Sequence, residues 1–264
     1  MRRLLQAAIF LGLFPGASLA DPGFSCLFGQ APQSCGFVEQ AKGTGRVSLV
    51  QVAGMSAVRL HTRPGDSHVH GSRAAERTDL ALSRRASDCS EGKEHWWAHS
   101  VLFPDDYVAP PESTATTWNF GGVASFHNTA NGAGQANFQV IAMPVTAISP
   151  DRPVGLNFQI NHGDQASPTQ VTYPIGPVVR NRWYHFVYHV KWTSGAGGHF
   201  DAWVNGMRKM SYRGPTLYPG QGCYFKLANY HTAFGKPTSV IHARVIRAGS
   251  PRALAAQPPQ GPLP

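Results

Sequence analysis

Between residues 46 and 248 the chain breaks repeatedly into short runs of β-branched and aromatic residues separated by Gly, Pro, Asn and Asp, and almost nothing carries a helical period. The runs are "RVSLVQV", "SAVRLHT", "RTDLALS", "HWWAHSVLF", "TWNFGGVASF", "NFQVIAM", "GLNFQIN", "WYHFVYHVKW", "HFDAWVNG", "RKMSY", "CYFKLANY" and "SVIHARVIRA". Several alternate with period two. Trp183, His185, Val187 and His189 fall on one face, and Tyr184, Phe186, Tyr188 and Val190 on the other. About a dozen strands without intervening helices require two antiparallel sheets packed face to face. In "HFDAWVNGMRKMSY", Asn205-Gly206 supplies the two positive-φ positions of a tight hairpin.

The first 20 residues, "MRRLLQAAIFLGLFPGASLA", stand apart. Two arginines, an apolar run, and Ser18 and Ala20 before a cut form the pattern of a secretory signal, so the mature chain is expected to start at Asp21. No other stretch approaches the ~18 apolar residues of a spanning helix. The reading is a secreted or periplasmic protein with no membrane partner. Residues 21–249 have the length of one all-β domain, and the Pro-rich 250–264 reads as a disordered tail. A monomer is expected.

The chain has 23 Lys and Arg against 14 Asp and Glu. An exported basic protein prefers an anionic partner. Outside the cell an acidic polysaccharide suits as well as nucleic acid, and charge alone does not choose between them, although the interleaved basic and aromatic motifs of a nucleic-acid binder are missing. Hydrolysis by paired carboxylates is disfavoured. Acidic residues are few, none lies beyond Asp201, and no E-x-D-x-x-E spacing occurs.

Four cysteines in an oxidising compartment allow three pairings. Cys26 with Cys35 would close a short loop, and Cys89 with Cys223 would join distant segments. The histidine pairs His68/His70 and His95/His99 resemble metal ligands. On a strand, however, positions four apart lie about 13 Å from each other, too far for one zinc ion, so no metal site and no cofactor are expected. Loop oxygens leave a structural calcium open, although Asp105-Asp106 reads as a solvated turn.

Three segments carry a resemblance. "YFKLANY" (224–230) is similar to the YFKxGxY strand of the jelly-roll polysaccharide lyases, a group of alginate lyases, glucuronan lyases and heparin-lyase-I-like enzymes. "ERTDL" (76–80) resembles their R(T/S)EL strand, and "SFHN" (125–128) stands where they carry Q-x-H. The order of the three is also the family's. The resemblance implies an all-β jelly-roll sandwich and β-elimination on a uronic-acid polymer, without a redox or nucleotide cofactor.

The reaction removes H5 and expels the oxygen at C4, so negative charge develops on the adjacent carboxylate. Arg77 is the candidate to neutralise it, with Arg73 as competitor. His127 and Tyr230 are the candidate base and acid. Lys226 shares the face of Tyr224 and Tyr230 and would tune the phenol or anchor a carboxylate. If H5 and O4 lie on one side of the sugar (glucuronate, mannuronate), Tyr230 can serve as both base and acid. If they lie on opposite sides (guluronate, iduronate), His127 as base suits better. Ser125 replaces the pattern's Gln, and Gln139, Asn157 and Gln159 are candidates to substitute for it. Ala228 replaces its Gly. The rival reading is a noncatalytic carbohydrate-binding jelly roll.

Overall fold

The protein is described from a computed structural model, which covers residues 23–70, 73–113, 119–129, 135–143 and 155–255. The leader read at 1–20 lies outside the described residues. The first strands are β1 (Phe24–Cys26), β2 (Phe37–Ala41), β3 (Val47–Val52), β4 (Met55–Thr62) and β5 (Ser67–His70). Next come β6 (Arg73–Leu82), β7 (Glu94–Leu102), β8 (Gly121–Asn128), β9 (Phe138–Met143) and β10 (Gly155–Asp164). The last six are β11 (Ser167–Gly176), β12 (Trp183–Lys191), β13 (His199–Val204), β14 (Met207–Arg213), β15 (Cys223–Thr232) and β16 (Thr238–Ala248). Two short α-helices, α1 (Arg84–Ser87) and α2 (Pro251–Ala255), and a 3-10 turn at Pro32–Cys35 complete the set among the described residues.

These strands form two antiparallel sheets in a jelly-roll sandwich. The back sheet runs β14-β13-β12-β7-β16-β4-β3, with β1 added to β16. The front sheet runs β11-β10-β9-β8-β15-β6-β2, with β5 added to β6. Alternation decides what each strand buries. In β12, Tyr184, Phe186, Tyr188 and Val190 enter the core, while His185, His189 and Lys191 face outward, partly exposed. The hairpin at Asn205-Gly206 has φ of 50° and 80°, as its type requires.

Rings from opposite sheets meet inside. Phe138 of β9 stacks on Phe200 of β13 at 4.2 Å, and Trp97 of β7 on Phe225 of β15 at 5.3 Å. Each buried aromatic contributes roughly 1.5–3 kcal/mol. Pinning Phe225 and Leu227 inward turns Tyr224 and Lys226 to the outer face of the front sheet.

The sequence pattern missed β1, β2, β5 and β11. β11 carries Pro168 and Pro174, which argue against a strand, but it sits at the sheet edge, where a missing N–H is tolerated. The tail does not begin as a disordered segment. Pro251–Ala255 is helical, and Ala253 and Leu254 pack against Ala98, Val187, Ile246 and Ala248.

Of the two expected disulfides, Cys26–Cys35 is present, with Cα atoms 5.7 Å apart. Cys89 and Cys223 face each other across a β-bridge but remain thiols. Burial pushes the Cys223 thiol well above its ordinary range, and Cys89 Sγ donates to Ser87 O at 3.5 Å.

Candidate active site

The three segments singled out in the sequence become adjacent strands. β15 lies between β6 and β8 at the middle of the front sheet. Tyr230 stands directly opposite Arg77, and Ala228 opposite Asp79. Lys226 lies between Ala81 and Ser125, and Tyr224 pairs with His127. Across the remaining strands, Ser125 pairs with Gln139 and Gln139 with Gln159, so Lys226, Ser125, Gln139 and Gln159 form one row.

A register shift between Leu227 and Tyr230 gives β15 one extra residue relative to β8. Asn229 turns inward there and donates to Leu60 O and Thr238 O. Phe120 meets the Tyr230 ring edge-on at 5.2 Å.

A buried ion pair forms the centre. Lys226 Nζ donates to Asp79 Oδ2 at 2.7 Å, and the side chains are only 7% and 0% exposed. Arg77 Nε lies 4.0 Å from the same oxygen, its side chain 29% exposed and open to a ligand. Asp79 Oδ1 is buried without a hydrogen-bond partner among the described residues. Lys226 is therefore held by an internal carboxylate instead of reaching out for one. Ala228, opposite Asp79, carries only a methyl group at this point of the front sheet.

The site sets definite protonation states. Burial pushes the Tyr230 phenol far up, and the Asp79 carboxylate adds to this while Arg77 opposes it. Tyr224 is raised for the same first reason, burial, then by Asp79. His127 is lowered to about 4, by burial first and Lys226 second. Its Nδ1 lies 3.1 Å from Asn128 O. A carbonyl only accepts, so Nδ1 carries the proton and Nε2 keeps its lone pair. The His127 ring sits 5.4 Å from that of Tyr224.

The substrate-binding candidates divide. Gln139 and Gln159 are joined by a 2.9 Å hydrogen bond in the Ser125 row. Asn157 is fully buried and donates to Gly155 O at 3.1 Å, which makes it part of the scaffold. Arg73 begins β6, four residues before Arg77; its side chain lies outside the described residues, as do those of His68 and His70. The residue that the sequence pattern did not single out is Asp79. The signal was present: i and i+2 on a strand share a face, and a scarce carboxylate stood beside the key arginine.

At the Arg77 end, a cavity of about 310 Å³ is lined by Gln40, Lys42, Asp66, Ser67 and Arg77. Arg46 binds both Asp66 oxygens, at 2.5 and 2.9 Å, so Lys42 and Arg77 supply the free charge there. The Asp105-Asp106 turn is engaged by protein groups. Asp105 accepts from Asn181, and Asp106 from Arg59 and Ser239. The histidines of the other pair part company: His99 is buried against Tyr188, and His95 faces Asp88.

The fold is a jelly roll whose front sheet brings Arg77, Lys226, Tyr224, His127 and Tyr230 together, with Arg77 reaching the cavity and the Tyr230 hydroxyl itself buried. The family described as "Polysaccharide lyase" matches residues 29–245, and the chain belongs to it; the protein is a polysaccharide lyase. Among solved structures, it is similar to an endo-β-1,4-glucuronan lyase from the fungus Trichoderma reesei, with 17% identity and a TM-score of 0.61. That alignment covers 81% of this chain and 90% of the other. Alginate lyase AlyC3 aligns at 11% identity and a TM-score of 0.51, covering 72% and 74% of the two chains. The cellulose induced protein Cip1 aligns at 10% and 0.54, covering 86% and 97%. No curated protein matches the sequence. Among the described residues, no helix is long and apolar enough to cross a membrane.

Proposed function

We propose that the protein is an exported enzyme that cleaves an acidic, uronate-containing polysaccharide by β-elimination in the front-sheet groove. The observation that carries this reading is the cross-strand pairing of Arg77 with Tyr230 beside the buried Lys226–Asp79 pair. Arg77 is the exposed cation in that group and is placed to bind the carboxylate of the reacting sugar. As H5 leaves, charge builds on this carboxylate, and a fixed guanidinium stabilises it without reorganisation. Asp79 lies beside Arg77 and accepts from Lys226, so the three groups form one assembly.

The protonation states divide the proton transfers. Tyr230 keeps its proton across the neutral range and so acts as acid toward O4. His127 is unprotonated above about pH 4 and offers Nε2 as base for H5. This division suits a uronate with H5 and O4 on opposite sides. A second reading rests on the register. His127 pairs with Tyr224, whereas Tyr230 pairs with Gly122, five positions away along β8, or about 16 Å of strand. That offset favours Tyr230 as both base and acid on glucuronate or mannuronate, with His127 and Tyr224 binding a neighbouring sugar.

The test is incubation of the folded protein with glucuronan, alginate and heparin-type polymers while the ultraviolet absorbance of the unsaturated product is followed. Appearance of that product on one of them is expected. Saturable binding with no product on any polymer would leave a noncatalytic carbohydrate binder instead.

A further inference from the structure

The outer face of the back sheet carries a second cluster, and it is made of metal-ligating groups. Glu94 on β7, His189 on β12 and His199 on β13 come from three neighbouring strands. Glu94, Lys191 and His199 share one row of the register, and Trp96, His189 and Asp201 the next. His189 Nε2 lies 2.7 Å from Glu94 Oε1, and His199 Nε2 lies 3.8 Å from the same oxygen. The three candidate ligand atoms all fall within 4.8 Å of one another. Around a tetrahedral zinc ion with bonds of about 2.0–2.1 Å, ligand atoms stand roughly 3.3 Å apart. Reaching that spacing lengthens the His189–Glu94 separation slightly and shortens the His199–Glu94 one, which small side-chain rotations allow, and Glu94, 48% exposed, is free to make them.

Two further observations separate this cluster from an ordinary surface ion pair. Trp96 stacks on the His189 ring at 4.3 Å and 10°, which fixes the direction of its nitrogens. His199 Nε2 is buried without a hydrogen-bond partner among the described residues, although its ring belongs to the cluster. A buried, unsatisfied imidazole nitrogen carries a desolvation cost that a metal bond would remove. The nearby cations are Lys191, between Glu94 and His199 in the row, and Arg213, opposite His199 and held by Asp201 at 3.0 Å.

We propose that Glu94, His189 and His199 form a binding site for a divalent transition ion of the zinc type, with water completing four-coordination. Two imidazoles and one carboxylate select such an ion over calcium or magnesium, which take oxygen ligands. The ion would tie β7, β12 and β13 together. It lies on the outer face opposite the groove, so its role is structural and independent of the lyase reading.

The untagged protein, stripped with a chelator, is titrated with zinc by calorimetry and with Co²⁺ by visible absorption. One zinc per chain, a raised Tm and a tetrahedral Co²⁺ spectrum are expected. Removal of an outer-shell partner alone typically costs about 10–100-fold in affinity, so His199→Ala should lose at least that. Glu94→Gln, at an exposed position, should also weaken binding and settles the matter if His199→Ala does not fold. No stoichiometric uptake would overturn the proposal. So would uptake of equal affinity in both variants, which would place the ion on other histidines.

Discussion

The two outer faces of the sandwich use the same devices for opposite ends. Each sets a histidine beside an aromatic ring from the next strand, His127 with Tyr224 in front and His189 with Trp96 behind. In front, a carboxylate is sunk to zero exposure under Lys226 and Arg77, and the groups left facing solvent suit an anion. Behind, the carboxylate of Glu94 is the exposed member, and two imidazole nitrogens converge on it. Which charge is buried and which is presented decides what each face can bind. The sheet scaffold is alike in both.

The sharpest way to break this comparison is to remove the phenol. Tyr230→Phe should lower kcat by about 10²–10⁴-fold with the fold intact by circular dichroism. His189→Ala on the back face should leave kcat unchanged. Full activity in Tyr230→Phe would move the acid elsewhere. Arg77→Gln comes next, with a loss of about 10²–10³-fold, the scale of one lost charge-stabilising donor.

Stability should also divide the faces. Asp79→Ala leaves Lys226 buried and uncompensated, and breaking a buried pair costs about 3–5 kcal/mol. Urea unfolding of Asp79→Ala together with Lys226→Met should recover much of that loss, because the uncompensated charge is gone. Glu94→Gln, which touches a partly exposed pair, should change stability by about 1 kcal/mol or less. Equal losses at the two positions would mean that burial does not distinguish them.

The contrast also explains what the sequence made legible. Strand alternation and the Asn205-Gly206 turn are local properties, so twelve of the strands and the clearest hairpin could be read directly. The strands of Arg77, Lys226 and Tyr230 were legible because the family resemblance ordered them; the pairing of the Tyr230 strand with β8 was not, since it depends on a one-residue shift between Leu227 and Tyr230. Asp79 did not stand out, because its depth is set by β2 and β15 on either side. The Glu94, His189 and His199 cluster left no trace in spacing. Its members are 95 and 10 residues apart, and only the β7-β12-β13 order joins them. Metal motifs sought along one strand, as at His95/His99, look in the wrong direction, because neighbouring ligands in a sheet come from across it.

The smallest expected effects concern pH, and they decide the base. With His127 as base, kcat/KM should rise through about pH 4 as the imidazole loses its proton, then stay flat through neutrality. With Tyr230 as base, the ionised fraction grows about tenfold per pH unit, so the rate should keep climbing into the alkaline range. A profile still rising above neutrality would remove His127 from that role. The acid side needs a stability control, because eight imidazoles sit below their ordinary range through desolvation, among them His127 and His185 at about 4 and His242 at about 3. The unfolded chain, with histidines near 6.5, then binds more protons than the folded one between those values. The resulting stability is complete above about pH 6.5 and drains away as pH falls toward 4. Tm should therefore drop over that window, and rates there belong to short assays on protein shown to be folded. A Tm unchanged down to pH 4 would mean that these imidazoles titrate normally, and the predicted position of the His127 limb would fall with them.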